Sequence, residues 1–490
     1  MNAYTSAVKK FARIAALNEA AAMLNWDAAA IMPPGGAEAR GEQLATLAGL
    51  SHELLTAPAL ADDLAVAEPS NDAWQAANLR LMREAQTRAT ALPGDLVEAA
   101  SHARSKCETI WRTARLANDF LSVRDSLSEV FNLTRHIAGI LAETLALSPY
   151  DALLSQYQRG ITAADVTPIF TRYEAFLATA LPAAEERQAK ARGENLPPGP
   201  YPAETQEQIA KILAETAGLN FNRARLDRSA HPFCGGTPTD IRITTRYDET
   251  DFCSALMAVL HETGHALYEQ NLPLSYQRMP VGESAGMAVH ESQSLIVEMQ
   301  AVRSDAYLSY LSPLLTQNFG KPITIPALKR RLRHVERSFI RVEADEMTYP
   351  AHVILRFRLE QALIAGDLAV EDLPAAWNDG FVALLGLTPP DDRSGCLQDI
   401  HWYDGLIGYF PCYTLGAMAA AQLMATARQD LPTLDDSLAQ GQIAPLTAWL
   451  GAKIHAQGAR LGFNEILAAA TGEPLNPTAF ETHLTSRYLT

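Results

Sequence analysis

Apolar residues recur at helical spacing in segment after segment of this 490-residue chain. Spacings of three and four put such residues on one side of a 3.6-residue helix, so the pattern commits most of the chain to helices. The predicted helices cover 2–25, 37–59, 251–271, 284–311, 325–346, 350–365, 371–385 and 415–428, and helical periodicity also runs through 70–145 and 162–192. Alanine and leucine dominate, 48% of residues are hydrophobic and 20% charged. That composition suits a mainly α globular protein.

One stretch breaks the rule. In "TDIRITTRYDE" (239–249), Ile241, Ile243 and Thr245 alternate with Asp240, Arg242 and Thr244. Period two means a strand with two distinct faces. Two breaks punctuate the helices. Pro33-Pro34-Gly35-Gly36 forces a turn, and "GENLPPGPYPAET" (193–205) is the clearest loop and the place for any subdomain boundary. Composition is alike on both sides of it, so 1–490 reads as one domain.

The net charge of −16 argues against nucleic acid, whose phosphates need lysine and arginine. Cys107, Cys234, Cys253, Cys396 and Cys412 are scattered without a CxxC pair, as expected of reduced thiols in the cytoplasm. The N-terminal stretch mixes charge among its apolar residues and lacks a signal peptide's uncharged core. The uncharged run Gly405–Ala427 has the length of a membrane span. Its proline, glycines and tyrosines make it a loop feeding a buried helix instead, and no membrane is expected.

Against this background "VLHETGHALYEQ" (259–270) is an odd use of a helix. It holds two histidines, a glutamate and an interior glycine that costs about 1 kcal/mol relative to alanine. His261 and His265, four apart, share a face and can chelate one metal ion. Glu262 lies about 100° round the axis, beside the metal, where it can take a proton from bound water. Gly264 lets another backbone or the substrate come close.

A third ligand must come from another element. Downstream, "VGESAGMAVHESQSLIVEMQAVRSD" offers Glu283, His290, Glu291 and Glu298. Glu291 and Glu298 are seven apart and share a helix face, whereas His290 and Glu291 cannot both point at the metal. The third-histidine pattern needs histidine at 271, where this chain has asparagine. Glu291 is the preferred ligand, with His290 lining the site.

Four further stretches are rich in polar and aromatic groups: His231–Phe233, Asp240–Thr244, Ile340–Asp345 and Gly395–Trp402. Alone, a helical Arg341 suits a surface ion pair and His401 a buried core. Together with HExxH and "HESQ", in this order, they resemble the carboxypeptidase Taq family of zinc metallocarboxypeptidases. That family's patterns are HPF, DxRxT, HExxH, HES/GQ, I/NRxxA/SD and GxxQDxHW. "WDAAAIMPPGGAEAR" is also similar, and the resemblance covers nearly the whole chain. It implies a large, mainly α subunit with a small β-sheet beside a long groove, and commonly a homodimer. It implies His261, His265 and Glu291 as ligands of Zn²⁺ (Co²⁺ substituting) and Glu262 as the catalytic carboxylate.

A carboxypeptidase of broad specificity must also read the terminal carboxylate of its peptide. Arginine suits that group through paired hydrogen bonds, and Arg341 is the first choice, with His401 beside it. His401, Tyr409 and Tyr413 are the candidate donors for the oxyanion, and His231 belongs to the substrate-binding set. Alternatively, the DxRxT strand is expected to pair with the peptide backbone as edge strands do, with Asp240, Arg242 and Thr244 forming one polar face that braces the site. An endo-acting oligopeptidase with the same metal chemistry is the alternative. A non-catalytic metal- or peptide-binding protein fits less well, because it has no need of Glu262.

Overall fold

The computed structural model describes residues 2–191 and 193–490. The chain divides into two compact units, Met1–Ala89 with Arg192–Arg333 and Gly416–Leu475, and Thr90–Ala191 with His334–Leu415 and Asn476–Thr490. The architecture is mainly α with one small sheet.

The first unit opens with helices Ala3–Ala30, Ala37–Thr56, Pro58–Val66 and Ala73–Ala91. After Ala203–Thr216 come the three strands, β1 (Ala224–Arg228), β2 (Phe233–Thr237) and β3 (Asp240–Thr245). The helix that carries both site histidines, Phe252–Gln270, follows; it is called here the histidine helix. Asp251 caps its start, accepting a hydrogen bond from the Cys253 amide at 3.1 Å. The glutamate helix, Met287–Leu295, comes next and widens into a π-helix at Ile296–Val302. Asp305–Phe319 and Ile325–Leu332 complete this stretch, and the segment from Gly416 onward adds the greater part of helix Pro411–Asp430 and three short helices.

The histidine helix is buried nearly all round because it packs against β3 and against the glutamate helix. Ile241 and Ile243 of β3 are buried, while Asp240 and Arg242 lie half-buried on the opposite face. Strand order is β1-β3-β2, with β1 parallel and β2 antiparallel to β3. The DxRxT strand is thus the central one. Both its edges are taken, so backbone pairing with a peptide is closed to it, and the outer edges belong to β1 and β2.

The second unit contains Gly94–Ala117, Phe120–Leu145, Pro149–Tyr157 and Ala163–Lys190, then Tyr349–Ala365 and Leu373–Leu385, and ends with Thr478–Leu484. Among the described residues, no single helix is long and apolar enough to cross a membrane. The run from Gly405 is a turn that leads into helix Pro411–Asp430, as expected.

Two expected helices are corrected. The helix expected over 284–311 is broken by the π-helix and by a new start at Asp305, capped by Ser304. The helix expected over 325–346 stops at Leu332, and Arg341 opens a short 3₁₀ turn, Arg341–Glu343, instead of standing on a helix. Side chains bond the backbone there in place of helical partners. Gln188 bonds both the amide and the carbonyl of Val335, Gln398 accepts from the Arg341 amide and donates to Phe339, and Asp345 accepts from the Glu336 amide. β1 and β2 are additions: "ARLDR" alternates but is only five residues long, and the glycine-rich "FCGGT" carries no alternation.

Candidate active site

The site histidines meet Glu291 because two helices touch at one glycine. A Cβ on Gly264 would lie 2.3 Å from the Gln293 carbonyl oxygen and 2.5 Å from the Ser294 Cα. Only a bare Cα allows this approach, which answers why the histidine helix accepts a glycine. The contact sets Glu291 opposite the histidines. Its oxygens lie 3.8 Å from His261 Nε2 and 3.5 Å from His265 Nε2. On the far side, Gly416 packs on the Glu291 side chain, where a Cβ would stand 2.7 Å from the Glu291 Cβ.

The three groups can each offer one atom within 4.8 Å of the others. Tetrahedral zinc with ligands at about 2.1 Å needs them about 3.4 Å apart, so small side-chain movements close the shell. Proton placement also fits a cation. Glu298, on the π-helix, accepts from His261 Nδ1 at 3.0 Å, and its other oxygen takes Arg303 at 2.5 Å. With that proton fixed, Nε2 is the nitrogen that faces Glu291, where a cation would take the place of a second proton. His265 Nδ1 lies 2.6 Å from His290 Nδ1, and His290 Nε2 lies 2.9 Å from Glu269. Glu269 accepts from His290, His290 accepts from His265, and the Nε2 of a neutral His265 is left without a proton, facing Glu291. The donors His261, His265 and Glu291, with their neighbours, suit a divalent ion.

The electrostatics are uneven within this small volume. Burial lowers the His261 pKa, but Glu291 and the hydrogen bond to Glu298 outweigh it and raise it to about 10. Burial and the neighbouring His290 bring His265 down to about 4. The contrast reflects their partners, a carboxylate for one and an imidazole for the other. Glu262 is buried, 7% exposed, and burial pushes its carboxyl up to about 7 against the opposing effect of His261.

Of the other residues named from sequence, Asp240, Arg242 and Thr244 lie in the first unit and brace it. Arg242 donates two bonds to Asp240, at 2.7 and 2.8 Å, and stacks 4.3 Å from the Trp26 ring. Thr244 accepts from Ser229 Oγ and from the Phe233 amide, tying down the HPF segment, whose His231 is exposed.

Arg341, His401, Tyr409 and Tyr413 lie in the second unit. Arg341 is 5% exposed. Its guanidinium donates to Asp399 at 2.8 Å and to Tyr349 Oη at 2.5 Å, and faces the rings of Tyr413 and Phe410. Arg356, fully buried, binds the other oxygen of Asp399 at 2.5 Å. Burial alone would raise the Asp399 carboxyl, yet Arg356 and Arg341 hold it well below the usual range. His401 Nε2 is 3.3 Å from Tyr413 Oη, and burial with Arg341 nearby brings His401 down to about 3, so it is neutral. Tyr409 packs edge-on against Tyr157 and Tyr413.

The helix behind this cluster is the one expected over 350–365, but sequence reading missed its polar stripe. Tyr349, half-buried, and the buried His352, Arg356 and Glu360 form one stripe on Tyr349–Ala365. Tyr349 meets Arg341 and Arg356 meets Asp399, while Glu360 accepts from Trp402 Nε1 at 2.9 Å, Tyr150 Oη at 2.8 Å and the Gly408 amide at 3.2 Å. Their spacing of three, four and four in a mostly apolar helix was the available signal.

The comparisons with known proteins agree with this geometry. The family model described as carboxypeptidase Taq (M32) metallopeptidase matches residues 6–488. Thermostable carboxypeptidase 1 of Thermus thermophilus is 36% identical, over 95% of this chain and 94% of its own. Carboxypeptidase 1 of Bacillus subtilis is 33% identical, over 97% and 96%. Among solved structures, Trypanosoma cruzi metallocarboxypeptidase 1 superposes with a TM-score of 0.97 at 37% identity, covering 100% of this chain and 99% of that one. The chain belongs to the carboxypeptidase Taq (M32) metallopeptidase family and is a metallocarboxypeptidase.

Proposed function

We propose that this metallocarboxypeptidase uses zinc, held by His261, His265 and Glu291, and removes C-terminal residues of many kinds with Glu262 as the base. The convergence of two Nε2 atoms and one carboxylate beside the buried Glu262 carries this reading. A bound divalent ion supplies Lewis acidity and acidifies water towards a pKa of about 7. The chain's own residues do the rest. Glu262 takes one water proton on a carboxylate oxygen as the hydroxide adds to the scissile carbonyl carbon, and returns it to the amide nitrogen as the C–N bond breaks. Glu298 and His290 keep the ligand histidines in their working tautomers.

Arg341 is assigned to the peptide's terminal carboxylate. Two guanidiniums, Arg341 and Arg356, share the one carboxylate of Asp399, so the cluster favours another anion. The aromatic rings beside it carry no charge with which to select a side chain, which suits broad specificity. His401, Tyr409 and Tyr413 supply hydrogen-bond donors in the same unit. Five cysteines that form no disulfide among the described residues, four of them buried, support a reducing, cytoplasmic setting, and the homodimer that the resemblance implies belongs to the same reading.

Mass spectrometry of a peptide digest tests the proposal, with the same peptide supplied as free acid and as C-terminal amide. The free acid is expected to shorten one residue at a time from its C-terminus, with activity lost to a chelator and restored by Zn²⁺. The amide is expected to stay nearly intact. Free cleavage of the amide, or internal fragments, would refute the carboxylate-reading step.

A further inference from the structure

Arg341 stands on an irregular stretch between helices Ile325–Leu332 and Tyr349–Ala365. Backbone outside regular structure is placed by whatever side chains bond it. Three carboxylates hold this stretch in the second unit, Glu346 buried and Asp345 and Asp399 half-buried. Asp399 holds the Arg341 guanidinium itself. Asp345 closes its own turn, accepting from the Met347 and Thr348 amides and from Thr348 Oγ1 at 2.7 Å.

The next residue, Glu346, reaches elsewhere. It is 5% exposed, and its carboxylate accepts from His483 Nε2 at 2.7 Å, Arg487 Nη1 at 2.9 Å and Tyr488 Oη at 3.0 Å. All three donors belong to the C-terminal helix Thr478–Leu484 and its π-helical continuation, Thr485–Leu489. That helix is itself fixed by Arg172 of Ala163–Lys190, which forks onto Glu481 at 2.8 and 2.6 Å.

No step of peptide hydrolysis uses Glu346. Apolar contact would hold a helix to a loop at least as well, because burying charges carries a large desolvation penalty. What a carboxylate with three converging donors adds is a single allowed position. Only four residues separate Glu346 from Arg341, and the first two of them form the same 3₁₀ turn as Arg341, so a shift at one end is passed to the other.

We propose that Glu346 is a positioning residue through which the C-terminal helix sets the place of Arg341, and with it the KM for peptides ending in a free carboxylate. The proposal rests on the assignment of Arg341 to that carboxylate.

The test measures kcat, KM, metal content and melting temperature for Glu346→Gln, Arg487→Met and Tyr488→Phe, with Arg341→Ala in parallel, on free-acid and amidated peptides. KM for the free acid is expected to rise about tenfold in Glu346→Gln and Arg487→Met, with kcat within about twofold and metal content unchanged. Discrimination between acid and amide is expected to shrink, and Arg487→Lys to recover part of the loss. Tyr488→Phe removes one hydroxyl and is the milder variant, to be read if Glu346→Gln does not fold. Wild-type KM alongside a lowered melting temperature would leave Glu346 purely structural and overturn the proposal. If that happens while Arg341→Ala raises KM, only the Glu346 proposal fails. If Arg341→Ala itself leaves KM and discrimination untouched, the assignment of Arg341 fails and the Glu346 proposal falls with it.

Discussion

Glu298 shows how one residue type can hold two different positions in the same centre. Glu291 and Glu298 are seven residues apart and both buried beside His261, yet Glu291 faces Nε2 and Glu298 faces Nδ1. Sequence spacing put both on one face and offered both as ligands. It had no means of separating them, because the π-helix that begins at Ile296 changes the turn between them. His290 posed a similar problem: it lines the site as expected, but by touching His265 rather than by facing Glu291. Removing the Glu298 carboxylate takes away the acceptor of the His261 Nδ1 proton and one of the partners of Arg303. Glu298→Ala is therefore expected to weaken metal affinity about 10–100-fold with the fold retained, as read by competition with a chromogenic chelator. Wild-type affinity in that variant would show that Glu298 does not orient His261.

At the scale of elements, the centre depends on the distance between two helices. The histidine helix was legible from its motif and its apolar pattern, and the structure adds its Asp251 cap. The closeness of the glutamate helix was legible only as a question about Gly264. The structure turns that question into a contact with Gln293 and Ser294. Gly264→Ala would gain about 1 kcal/mol of helix propensity. It would also force a methyl group into backbone, an overpacking that costs about 1–3 kcal/mol or more, and push Glu291 away from the histidines. Both a lower melting temperature and substoichiometric metal are expected; an alanine variant with full metal and unchanged melting would contradict the close-contact account. The irregular stretch after Leu332 was illegible for a different reason. Its own sequence is helical in pattern, and the bonds that override it come from Gln188, Asp345 and Gln398, the first and last of them far away in sequence.

For the whole molecule, fold class followed from helical periodicity because a pattern repeated over hundreds of residues leaves few alternatives. The single strand seen in sequence proved to be the centre of a three-stranded sheet, since β3 alternates cleanly and its neighbours β1 and β2 are short. The two compact units, each assembled from three separated stretches, had no signature in composition. Function was legible because chemistry is local: HExxH, HESQ and the other short motifs each keep their residues together.

The account centres on Glu262 as the base beside a metal held by His261, His265 and Glu291. The most direct measurement takes one preparation of Glu262→Gln and determines metal content and turnover on the same sample. Glutamine matches the shape of glutamate but cannot accept the water proton. The account predicts one metal ion per chain and turnover reduced about 10²–10⁴-fold. Full metal together with near-wild-type turnover would contradict it, because the proton would then have another acceptor.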